Sequence, residues 1–250
     1  MQNVEYYLDC SSPWTYLSFR GLLELKEKKD FTIVWKPILV GGIFNSINPS
    51  VYESRLNPVK EKLKYSQKDM QDWAKNRNID FNWPKIFPIN SVKAMRGAFY
   101  FIDKNKNVEE YLELIFRAYW TEGKDISNEN CLSEIVEKLS ESAENFLIFI
   151  NQPETKSRLA ENTQELMDRG GFGSPTFFLD QKDMYFGNDR LQLIEKLPYQ
   201  QHLFIFFFLC HFRNAFCVLL KHCFQTFFRN AFAEISCFLA YVNAPANCRS

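Results

Sequence analysis

The chain has 250 residues, enough for one large domain or two small ones with a well-buried core. Basic and acidic side chains balance at 30 each and no long basic run occurs, which argues against a nucleic-acid-binding protein. The first residues show no charged start leading into an apolar run and a small-residue cleavage site, so a cytoplasmic protein with reduced thiols is expected.

Val4-Glu5-Tyr6-Tyr7-Leu8 is a β-prone run, and residues 17–28 have the spacing of an amphipathic helix. Between them lies Asp9-Cys10-Ser11-Ser12-Pro13-Trp14-Thr15-Tyr16, a strand-to-helix junction with proline in the first helical turn, where a missing N–H is tolerated. Ser12 falls at the N-cap, its hydroxyl beside free backbone N–H groups and the positive end of the helix dipole. That position suits an anion, whether phosphate, carboxylate or thiolate, but spacing alone favours an ordinary helix cap.

Phe31-Thr32-Ile33-Val34-Trp35-Lys36-Pro37 is predicted as a second strand, which with the first makes a right-handed βαβ unit with parallel strands. Val40-Gly41-Gly42-Ile43-Phe44 and the stretch through Asn45, Asn48, Pro49 and Pro58 read as a polar loop able to carry binding groups. From about residue 66 to 169 only helical patterns occur: 68–78, 91–103, 108–121, 127–139, and a long helix opened by Pro153 and ended by Gly170-Gly171. Their aromatic stripes, such as Tyr111, Leu112, Ile115, Phe116 and Tyr119, read as core.

The strand pattern returns at Gly173-Ser174-Pro175-Thr176-Phe177-Phe178-Leu179-Asp180. A hairpin turn at Asp180-Gln181-Lys182-Asp183, a short strand Met184-Tyr185-Phe186 and a last helix begun by Asn188-Asp189 complete the order. Strands at both ends with helices between predict an α/β domain interrupted by a helical insertion. The boundaries expected are 1–62 with 153–197 for the α/β domain and 63–152 for the insertion.

Composition changes near Pro198. Residues 198–250 hold all three histidines, five of the seven cysteines, eleven phenylalanines and only five of the 60 charged side chains. A near-repeat, His211-Phe212-Arg213-Asn214-Ala215-Phe216 and Phe227-Phe228-Arg229-Asn230-Ala231-Phe232, matches no solenoid period. The segment reads as a frameshift, read-through or fused tail outside the fold. A membrane span over 203–220 is disfavoured by His211, Arg213 and Asn214 at its centre. The cluster Cys210, His211, Cys217, His222 and Cys223 fits no compact zinc pattern.

Four motifs, in order, resemble the family of 2-hydroxychromene-2-carboxylate isomerases and kappa-class glutathione transferases, thioredoxin-like proteins of the DsbA type with an all-helical insertion. They are Asp9-x-x-Ser12-Pro13-Trp14-Thr15-Tyr16; Lys36-Pro37-Ile38-Leu39-Val40-Gly41-Gly42-Ile43-Phe44; Asn90-Ser91-Val92-Lys93-Ala94-Met95-Arg96; and Gly173-Ser174-Pro175-Thr176-Phe177-Phe178 with Phe186-Gly187-Asn188-Asp189-Arg190. The resemblance covers residues 3–197. It implies that Ser12 is the catalytic serine, standing where redox relatives carry the first cysteine of CxxC. With no second cysteine in Cys10-Ser11-Ser12-Pro13 and no histidine in residues 1–197, Ser12 makes better sense as a donor to a bound thiolate than as an acyl-transfer nucleophile. Cys10 reads as structural.

The same resemblance implies glutathione as cofactor. The backbone of Ser174 before Pro175, where the family more often has an aliphatic residue, would pair with its cysteine unit. Asn188 and Asp189 would hold its γ-glutamyl end, with an ordinary N-cap as the alternative, and Asn48 and Lys60 would reach the peptide, with Lys60 equally readable as solvated surface. Arg96 and Asn90 would orient the insertion. Trp14, Phe44, Trp83 and Phe87 would line the pocket for a small aromatic substrate. The activity implied is isomerisation of 2-hydroxychromene-2-carboxylate or a similar aromatic enone acid by reversible thiolate addition and bond rotation, in a homodimer needing no metal, nucleic acid or membrane. The alternatives are a kappa-like glutathione transferase or peroxidase and a non-catalytic thioredoxin-fold binding module.

Overall fold

β1 (Asn3–Leu8) is buried on both faces, with Val4, Tyr6 and Leu8 in one apolar cluster and Tyr7 in another. That is the signature of a central strand. The computed structural model describes residues 3–197; the tail, with the apolar stretch 203–220 and the cysteine–histidine cluster, lies outside the described residues. α1 (Pro13–Lys28) follows, with Ser12 at its N-cap and proline in its first turn. β2 (Thr32–Pro37) lies parallel to β1, Asn3 opposite Thr32 and Leu8 opposite Pro37.

The chain then stays helical as far as the third strand: α2 (Val40–Ser46), α3 (Ser50–Leu56), α4 (Lys60–Asn76), α5 (Val92–Asp103), α6 (Val108–Trp120), α7 (Glu129–Lys138), α8 (Ala143–Asn151) and α9 (Pro153–Asp168). β3 (Thr176–Leu179) pairs antiparallel with β1, and β4 (Asp183–Phe186) pairs antiparallel with β3. The sheet order is β2-β1-β3-β4. A 3-10 turn (Asn188–Arg190) leads into α10 (Leu191–Lys196), which packs with that turn on α1.

Three elements differ from expectation. The stretch read as a polar loop is helical in α2 and α3, although Gly41 and Gly42 are poor helix formers. The start of α2 is held from outside: Thr163 Oγ1 accepts the Leu39 N–H at 3.0 Å and Asp9 Oδ2 the Val40 N–H at 2.8 Å. Those side chains satisfy donors that a helix start leaves open, and the local sequence contains neither of them. The third, α8, was hidden because Phe146-Leu147-Ile148-Phe149-Ile150 is apolar throughout and shows no helical period.

The larger core lies on one sheet face. Tyr6 stacks on Phe177 at 5.0 Å, and Tyr16 stacks on Phe116 of α6 at 5.0 Å, so the insertion is bonded to α1 by aromatic contact. The other face is smaller, with Tyr7, Ile38, Ile43, Leu166 and Phe178 packed together. At its rim Glu165 accepts from Tyr7 Oη at 2.8 Å and Lys36 Nζ at 2.9 Å. Arg169 donates to Tyr7 Oη and Glu5, with its guanidinium 3.7 Å from the Phe178 ring centre.

Candidate active site

The junction after β1 is organised by a buried carboxylate. Asp9 is 1% exposed and accepts from the Ser11 N–H at 2.9 Å and the Val40 N–H at 2.8 Å. Burial pushes its carboxyl up, opposed by those N–H groups and the hydroxyls of Ser91 and Ser11. Asp9 therefore joins the Ser12 turn, the start of α2 and the residue that caps α5. Cys10 behind it is fully buried, its thiol pushed well up by burial, so it is a poor nucleophile. Its carbonyl accepts Trp120 Nε1–H at 2.8 Å, a second link from the insertion to the junction.

Ser12 is half-buried at the mouth of α1, whose first turn carries no acidic residue. Its Oγ accepts the Thr15 N–H at 3.4 Å and donates to the Ser174 carbonyl at 3.2 Å. Ser174 precedes a cis Pro175 and lies before the first paired residue of β3, so its main chain stands outside both ladders. The Ser174 hydroxyl meets the Asp9 N–H at 3.0 Å and Thr15 Oγ1 at 2.7 Å. The next loop is joined on by the Gly187 N–H, which donates to the Pro175 carbonyl at 3.1 Å. Gly187 has φ +107, where a side chain would be strained, and a Cβ there would press on Asp189.

The structure thus brings Ser12, Ser174, Pro175 and the Asn188 turn into one neighbourhood. Asn188 is buried, and neither Oδ1 nor Nδ2 finds a partner among the described residues. It is not a helix cap; Gly187 occupies that position. Asp189 is exposed and pairs with Arg190 at 2.8 Å. Asn48 is drawn to the same side, its Nδ2 donating to the Phe172 carbonyl at 3.1 Å, two residues before Ser174. Lys60 sits exposed on the first turn of α4 and makes no described contact with the group.

An aromatic wall stands nearby. Trp83 and Phe87 pack at 4.9 Å, and Trp83 meets Trp120 at 5.9 Å. Trp83 is 51% exposed, a large apolar surface left open beside the junction's own Trp120. Sequence reading missed Arg55 at the end of α3. Its guanidinium lies 5.7 Å from the Phe44 ring and 5.2 Å from the Phe87 ring, spanning the two sides. No signal in the sequence pairs Arg55 with those rings, because residues 55 and 87 meet only through the fold.

The DSBA-like thioredoxin domain family matches residues 3–197. The chain belongs to the DsbA-like thioredoxin family. Within this family it is 30% identical to 2-hydroxychromene-2-carboxylate isomerase of Pseudomonas putida, over 77% of this chain and 92% of that protein. It is 26% identical to glutathione S-transferase kappa 1 of Homo sapiens, over 78% and 90%. A solved 2-hydroxychromene-2-carboxylate isomerase superposes with a TM-score of 0.66 at 28% identity, covering 78% of this chain and 93% of that one. The DsbA-like fold with its helical insertion is therefore as the sequence led us to expect. At its strand-to-helix junction this member carries Cys10 buried and Ser12 at the helix mouth.

Proposed function

We propose that this chain is a glutathione-dependent isomerase of 2-hydroxychromene-2-carboxylate or a similar aromatic enone acid, working as a cytoplasmic homodimer. The reading rests above all on the Ser12 hydroxyl, held at the N-terminus of α1 and 3.2 Å from the carbonyl before the cis proline. The names of the relatives support it, one an isomerase and the other a glutathione transferase. Bound glutathione would supply a thiolate able to add reversibly to a conjugated C=C, so that rotation and elimination return a changed geometry.

The residues suit such a peptide thiol. Ser174 offers main chain outside the ladders for strand-like pairing. Asn188 offers a donor and an acceptor that are unpaired among the described residues for the γ-glutamyl end, beside the Asp189 carboxylate. The hydroxyl of Ser12 and the N–H groups of the first turn of α1 would hold a thiolate in its charged form. Asn48 fixes the approach to Ser174 through Phe172; Lys60 would add charge at the rim.

The substrate's flat ring would lie against Trp83, Phe87 and Phe44, with Trp14 beneath. Arg55, between two of those rings, would take the carboxylate. The thiol proton would leave to solvent as glutathione binds, and the chromene, a cyclic hemiketal, would open to its enone before the thiolate adds, its 2-hydroxyl proton passing to the phenol oxygen. Ser12→Ala tests the reading: turnover of a chromene carboxylate with glutathione should fall roughly 100- to 1000-fold, the usual loss on removing a donor to developing charge. Full turnover by that variant sinks the assignment. Transferase chemistry, the activity of the human relative, is separated by stoichiometry: isomerisation leaves the glutathione concentration constant and conjugation depletes it.

A further inference from the structure

Ser174 enters the site through its backbone, yet its side chain is the more constrained part. The residue is 7% exposed, and its Oγ sits between the Asp9 N–H at 3.0 Å and Thr15 Oγ1 at 2.7 Å. Both partners belong to the junction, 165 and 159 positions earlier, and both are buried. The chain of bonds continues inward. The Thr15 carbonyl accepts from Tyr6 Oη and Ser18 Oγ, both at 2.9 Å, and those two hydroxyls lie 2.6 Å apart. On its outward side the same residue presents the carbonyl to which Ser12 donates at 3.2 Å.

We propose that the Ser174 hydroxyl is a positioning group: clamped by Asp9 and Thr15, it aims the Ser174 carbonyl, which takes the Ser12 proton in the free chain and the ligand's cysteine amide on binding, so that the Ser12 proton turns to the sulfur. This rests on the glutathione reading above. The physics is a matter of alternatives. Without the hydroxyl, the Asp9 N–H loses its acceptor and Thr15 Oγ1 loses a partner, and both residues are buried. The loop before β3 is then free to relax away from α1, carrying with it the carbonyl that fixes the Ser12 hydroxyl. Ser12 itself would remain, with its cap bond to Thr15, but pointing without guidance.

The test is glutathione binding by calorimetry on the full chain, with the pH dependence of ultraviolet thiolate absorbance in the bound state and a thermal melt of each variant. Ser174→Ala should weaken binding about tenfold, the size of effect from leaving one buried donor unpaired. It should also move the thiolate profile to higher pH, because a displaced Ser174 carbonyl no longer receives the cysteine amide in the geometry that releases the Ser12 proton to the sulfur. Ser174→Thr, which keeps the hydroxyl, should restore both. Thr15→Val removes the other half of the clamp with little change in volume, and its effect should not add to that of Ser174→Ala. Should Ser174→Ala melt below the assay temperature, Thr15→Val carries the same two readouts. Wild-type affinity and an unchanged thiolate profile in a folded Ser174→Ala protein overturn the proposal while leaving the function intact. A wild-type chain that binds no glutathione overturns both.

Discussion

Asp9 holds three backbone segments at the price of a buried charge. Its folded pKa is raised by burial above the value of about 3.9 that it has in an unfolded chain. The stability owed to its proton is therefore complete below about pH 3.9 and lost as pH rises through the folded value. Asp9→Asn should become more stable relative to wild type as pH rises across that window, measured by urea unfolding at a series of pH values. A constant difference would show that the carboxyl titrates normally. At any one pH the variant also gives up an acceptor for the Ser11 or Val40 N–H, so the slope is the diagnostic quantity. Ser12 was legible in the sequence as a cap at a strand-to-helix junction. Its link to Ser174 was legible only through resemblance, because no local rule joins residues 162 positions apart.

Helices were read well where polarity alternates and poorly where it does not. α5 and α6 show the period plainly, and their stripes are core, as Phe101 stacked on Tyr111 at 4.5 Å illustrates. α8 has no polar face to set a period, and α2 depends on Asp9 and Thr163 from distant segments. Gly97, inside α5, has a reason that propensity alone would not supply. A Cβ there would run into the Tyr111 hydroxyl, which donates to the Ala94 carbonyl at 2.8 Å, and into the Phe146 ring. Gly97→Ala gains about 1 kcal/mol of helix propensity but pays about 1–3 kcal/mol for overpacking. A net loss and a lower Tm are expected from thermal melts. A rise in Tm would mean that α8 can move aside freely.

Across the molecule, two carboxylates respond differently to acid. Asp9 is relieved by protonation. Glu165 is harmed by it: burial works against its ionised form, yet hydrogen bonds from Lys36 and Tyr7 outweigh it and hold its carboxyl below the usual range. A depressed carboxylate contributes stability above its unfolded value, near pH 4.3, that disappears as pH falls through the folded one. The stability gap between wild type and Glu165→Gln should therefore shrink as pH is lowered below about 4.3. A gap that stays open in acid would assign the residue's contribution to packing. The fold class was legible from element order alone, whereas the sheet order was not: adjacency of first and third strands is a tertiary fact.

That adjacency has a consequence during synthesis. β1 leaves the ribosome well before its antiparallel neighbour β3 and the acceptor for the Asp9 N–H, which lies 165 positions on, near the end of the domain. At roughly 5–20 residues per second the nascent strand waits on the order of 8–33 s for its partner. Through that interval Tyr6 and Tyr7 lack Phe177 and Phe178, and a central strand must behave as an edge.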